Sequence, residues 1–146
     1  MDYIDTLYEV LEAARSASFP AVEQIMKHST LGVDKQSIIL LALNPEETAD
    51  TGSNQTLGIT QVCNIWVLKR LGNQTLLEVL PGVDDNANAV LEVLKSNPKL
   101  VTTSYPNGFL LRSTIISKDP GFANHDGHHW ASVHILLAGK FIRRAS

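Results

Sequence analysis

The sequence predicts an α+β fold, with a helical first half packed on a small antiparallel sheet built from the last third. Two observations carry this expectation. Apolar residues recur at helical spacing through much of the chain before Pro98. After Pro98 the stretches 101–105, 109–117 and 130–137 turn rich in β-branched and aromatic residues, the composition of strands. The 146 residues, 44% hydrophobic and 18% charged, suit one domain, 1–146, that needs no disulfide or metal to hold its core.

In chain order, residues 3–17 place Ile4, Leu7, Tyr8, Leu11 and Ala14 on one helical stripe. Pro20 can open a short second helix to about Lys27, broken by Gly32. Asp34 then caps a third helix whose body is Ile38–Leu41 and Leu43, completing a helical N-terminal part over 1–45. Residues 44–58, with Pro45, Gly52 and Gly58, read as a long polar loop. In 60–72, Val62, Ile65, Trp66, Leu68 and Leu71 again fall at helical spacing, and Gly72 supplies a stop. A helical turn is expected over 74–80, ended near Pro81, and a further helix from Asp84–Asn86 to just before Pro98. At the far end, Ala138-Gly139 is expected to turn the 130–137 strand back into a hairpin with 140–144.

Charge and composition exclude several functions. A net charge of −3 gives no general attraction to nucleic acid or to an anionic membrane, so neither is expected as a partner. The start, Met-Asp-Tyr-Ile-Asp, lacks the basic and apolar regions of a secretory signal, and no stretch reaches membrane-spanning length. The chain is therefore expected to be made in the cytoplasm, leaving it only by dedicated export or by lysis.

Cys63 is the only cysteine. Placed at the start of the expected 63–71 helix, its thiol would face unpaired N–H groups and the positive end of the helix dipole, which favour the nucleophilic thiolate. Four of the five histidines lie between His125 and His134. Strand alternation puts His129 with Ala131, Val133, Ile135 and Leu137, the more apolar face, expected to meet the helices and so Cys63. His129 is thus the expected base, and His128 its substitute if a bulge exchanges the two. The histidine spacing matches no zinc signature, and no metal or cofactor is expected.

The order Gln61-Val62-Cys63-Asn64-Ile65-Trp66-Val67, then Asn107-Gly108-Phe109-Leu110-Leu111, then Gly127-His128-His129-Trp130 resembles the NlpC/P60 and CHAP group of papain-like peptidoglycan amidases. The resemblance covers roughly Gly58 to Phe141, within a Cys–His core expected over 58–146. It implies a papain-like fold and a cysteine hydrolase that cuts amide bonds in peptidoglycan stem peptides, or in another amide substrate, during wall remodelling, lysis or antibacterial attack. Cys63 would be the nucleophile and His129 or His128 the general base, with Gln61, Asn64 and Gln55 as substrate contacts. It leaves open the group that orients the imidazole, for which Asp126 and the 109–117 strand are alternatives, and the identity of any inhibitor protein.

Two other readings compete. Gly32-Val33-Asp34-Lys35-Gln36, then Glu46-Glu47 and Leu57-Gly58-Ile59-Thr60-Gln61, is similar to lysozyme-like lytic transglycosylases, which would make Glu46 or Glu47 a proton-donating acid. In the third, the chain is a non-enzymatic α+β binding or inhibitory module with an incidental cysteine.

Overall fold

The computed structural model describes residues 2–27, 35–50, 56–125 and 127–144. Its elements are α1 (Asp2–Ser18), β1 (Gln24–Lys27), β2 (Ser37–Asp50), β3 (Thr56–Arg70), α2 (Leu76–Ser96), β4 (Arg112–His125) and β5 (His128–Arg144). All five strands join one sheet in the order β1-β2-β3-β5-β4. Only the β1–β2 pair is parallel; β2–β3, β3–β5 and β4–β5 are antiparallel. The α+β class and the first helix are as expected from the sequence. The helical first half is not, because strands begin at Gln24.

The helices expected over 20–27, 38–43 and 63–71 are instead β1, β2 and β3. The cause is legible in β3. Ile59, Gln61, Cys63, Ile65 and Val67 are all buried, a period of two, while Val62, Asn64 and Trp66 between them are half-buried. A strand apolar on both sides also satisfies helical spacing over nine residues, and its β-branched content decides for the strand. The loop expected over 44–58 is largely strand as well, with a register shift between Leu43 and Glu47. Gly32 and Asp34 fall outside the described residues.

Pro81 does not end a helix, since α2 runs through it. Thr75 and Glu78 form a reciprocal capping box, with Glu78 N–H bonded to Thr75 Oγ1 and Thr75 N–H to Glu78 Oε1. Pro81 lies in the second turn on the exposed side, so the carbonyl it leaves without a helical partner, that of the exposed Leu77, faces water. Residues 101–105 are not a strand. Thr102 N–H bonds Tyr105 O, and Gly108 N–H bonds the same carbonyl, winding the segment between Pro98 and Pro106 into turns.

The 138–139 hairpin is absent too. Ala138 and Gly139 lie inside the 17-residue β5, where Gly139 faces Gln61 on one side and Ser113 on the other. Gly139 serves packing rather than turning. A Cβ there would sit 2.7 Å from the Tyr3 ring and 2.8 Å from Leu110 Cδ2.

Both helices lie on one face of the sheet. Ile4, Leu7 and Leu11 of α1 and Val83, Ala87 and Val90 of α2 meet Ile39, Leu41, Cys63, Ile65, Val133, Ile135 and Leu137 in one core. The odd-numbered face of β5 therefore does meet the helices. The opposite face carries a smaller cluster, Ile38, Leu40, Leu68 and Trp130, flanked by Met26, Trp66 and Ala123, all of them strand residues.

Candidate functional site

Cys63 sits in the middle of β3, between Leu43 of β2 and Leu137 of β5, with no exposed surface. Its Sγ lies 3.6 Å from the Asn64 carbonyl. Burial pushes the thiol up to about 12, so the protein holds it protonated, the reverse of an activated nucleophile. The dipole argument for a thiolate does not apply, because Cys63 begins no helix.

His129 lies at the start of β5, exposed, its Nδ1 against Asn124 Oδ1 and its ring stacked 5.4 Å from that of Phe122. Cys63 is opposite Leu137, eight residues farther along the same strand. At about 3.3 Å per residue the two sites are separated by roughly 26 Å. His128, next to the β4–β5 turn and also exposed, is no closer. The two members of the expected Cys–His pair thus occupy the middle and one end of the sheet.

The expected substrate contacts are structural where they are described. Gln61 is buried, and its Nε2 donates to the Asn44 carbonyl at 3.1 Å. Asn64 donates through Nδ2 to Ala42 O at 3.3 Å and Asn44 Oδ1 at 2.5 Å, holding β2 near the register shift. Gln55 and Asp126 lie outside the described residues. Glu47 receives both terminal nitrogens of Arg143 at 2.8 Å, and that hydrogen-bonded guanidinium holds its carboxyl below the usual range. A glycosidase acid requires the opposite shift. Glu46 is exposed on the same strand.

Reactive-cysteine chemistry can be tested directly. Iodoacetamide should modify Cys63 in the native protein at least ~100-fold more slowly than in urea-unfolded chain, because the thiol is reached only through opening of the sheet. Equal rates would contradict its burial.

One polar constellation was not singled out from the sequence. On the face away from the helices, His134 stacks on Trp66 with 3.8 Å between ring centroids and 9° between planes, and its Nε2 lies 2.8 Å from Asn64 Oδ1. The signal was cross-strand: Trp66 and His134 are directly paired, which only the β3–β5 register reveals. Burial depresses the imidazole below its ordinary 6.5, opposed by the nearby Asp119 carboxylate. A depressed histidine lets the unfolded chain take up the proton first, so stability is full above this range and falls as pH drops through it. His134→Gln should flatten the change in urea midpoint between about pH 7.5 and about pH 5.5; an unchanged slope would assign it to other groups.

Among the described residues no group of three His, Cys, Asp or Glu side chains converges as metal ligands. No helix of the described residues is long and apolar enough to cross a membrane. No known protein family matches the chain, and no curated protein matches it by sequence. By structure it is similar to a chain of the virion of a native gene transfer agent particle. The likeness has a TM-score of 0.62 at 13% identity and covers 94% of each chain, a likeness of fold over nearly the whole length of both.

Proposed function

We propose that this chain is a structural component of a virus-like particle and acts through contacts with other protein chains rather than by catalysis. The observation that carries this reading is the whole-length likeness to a gene transfer agent virion chain, with 94% of both chains covered. The chemistry agrees with it. The lone thiol is buried and protonated, and the candidate base lies roughly 26 Å away along the strand. The sheet face away from the helices offers Val62, Trp66 and Leu136, half-buried, and Ile142, 48% exposed, as apolar surface for a neighbouring chain.

The test is to purify particles from the organism that encodes the chain and identify their proteins by mass spectrometry, with a deletion strain beside the wild type. The chain should be present, and deletion should leave incomplete particles. A chain missing from particles that are normal without it would end this reading. Muropeptide digestion is the second arm. A papain-like amidase using Cys63 with His129 or His128 would release stem-peptide fragments that Cys63→Ala does not, and release of such fragments would replace the structural reading with the enzymatic one.

A further inference from the structure

We propose that the groove between the first turns of α2 and the middle of β4 docks a segment of another protein chain, one that brings apolar side chains flanked by lysine or arginine. The inference deepens the structural reading above and rests on it, adding the surface and the chemistry of the partner. The groove has a volume of about 430 Å³ and is lined by Leu77, Leu80, Pro81, Asp84 and Pro120. Residues 76–85 and 118–122, which carry its walls, are all described.

The fold leaves these apolar side chains outside the core. Helix α2 turns Val79, Val83, Ala87, Val90 and Leu94 inward. Leu77 and Pro81, about one turn apart, stand on its outer side, and Leu77 is 83% exposed. Across the groove, Pro120 and Phe122 alternate onto the sheet face that carries the helices, opposite Val133 and Ala131 of β5. Phe122 keeps 49% of its surface exposed and extends the apolar wall beyond Pro120. Single exposed apolar residues are ordinary, but here a helix and a strand present theirs around one groove. Pro81 has no N–H, so the Leu77 carbonyl is left without a helical donor and is open to one from the partner.

Charge selects the partner. The two helices carry eight acidic side chains against two basic ones, so the field on their side of the sheet is negative. In the groove itself Asp84 is taken by Lys118 at 2.6 Å. Glu78 and Asp85 are both exposed, about two turns apart on the flank of Leu77 and Pro81. Among the described residues neither has an ion-pair partner. Glu78 accepts the N–H and hydroxyl of Thr75 at 3.1 and 3.0 Å. Both donors are neutral, and their bonds hold the carboxyl below the usual range, so the charge stays. An acidic segment is repelled here, whereas a cationic one with apolar side chains meets both features.

The test is amide-detected NMR of the full chain titrated with a synthetic peptide of two leucines flanked on each side by two lysines. One control peptide replaces the lysines by glutamate, and another replaces the leucines by serine. Saturable shifts should be confined to 77–85 and 118–122, and each control should bind at least about tenfold more weakly. Leu77→Ser and Asp85→Lys should each weaken the lysine–leucine peptide at least about fivefold. Both side chains are exposed, and unchanged shifts elsewhere confirm that each variant is folded. No shift at the groove, shifts equal in wild type and both variants, or equal binding of the glutamate peptide overturns the inference. Sedimentation of the full chain alone is the second measurement. A dimer that Leu77→Ser dissolves gives the groove to a second copy and overturns the inference too. The particle reading is tested apart from this: failure of the peptide leaves it standing, and a chain missing from particles that still binds the peptide ends that reading alone.

Discussion

Trp130→Ala is expected to cost about 3–5 kcal/mol of folding stability, the usual range for emptying a large buried aromatic site. Trp130 has no exposed surface although it lies on the face away from the helices. Ile38, Leu40 and Leu68 pack around it, and Arg70 covers its ring. Without the indole those side chains face a void that no helix can move in to fill, because both helices lie across the sheet. A domain of this size has about 5–15 kcal/mol in all, so the variant should be marginal at 37 °C, with a melting temperature lower by roughly 10 °C. Trp66, the other tryptophan, remains as the fluorescent reporter for a urea titration. A loss under about 1 kcal/mol would mean the smaller cluster contributes little and the helix-side core carries the fold.

Gly139→Ala should destabilise by about 1–3 kcal/mol through overpacking. The added methyl would stand 2.7 Å from Tyr3 Cζ and Oη. Tyr3 cannot easily swing aside. Its hydroxyl donates to Leu137 O at 3.2 Å, and its ring lies 6.1 Å from that of Phe109 and 5.9 Å from that of Phe141. Relief requires moving the first turn of α1, where Ile4 and Leu7 are wholly buried. The double variant Tyr3→Leu/Gly139→Ala should lose clearly less than the sum of the two single changes, since the leucine removes the atoms that clash. Strict additivity in a denaturation series would show that the strain lies elsewhere.

The contrast between helix α1 and strand β3 explains how much of the fold could be read in advance. In α1 the stripe Ile4, Leu7, Leu11 has a polar opposite face, so only one period fits and the helix is unambiguous. In β3 both faces are apolar, one against the helices and one beside Trp130, and a run of that kind fits either period. The alternation of β5 was legible for the same reason as α1: Ala131, Val133, Ile135 and Leu137 are uniformly small or aliphatic between more polar neighbours. The ambiguity of β3 extends to the site: helix-dipole support for a Cys63 thiolate requires a helix start, and Cys63 lies in mid-strand.

The sequence by itself determined the α+β class, the first helix, a helix that ends just before Pro98 and the inward face of the last strand, since each follows from a local period; that the helix begins at the Thr75 cap and runs through Pro81, rather than starting at Asp84–Asn86, was visible only in the structure. Among the described residues, Gln36, Lys69–Gln74 and Gly127–His129 line one cleft of about 510 Å³, yet they come from three separate stretches of the sequence. Only the tertiary structure decided which of these residues meet. Sheet order and register are set by long-range pairing, and a shift of one position would reverse every face. That register separates Cys63 from His129 and pairs Trp66 with His134. It also gathers the Lys69, Arg70 and His128 side chains, which no local pattern connects, around one cleft.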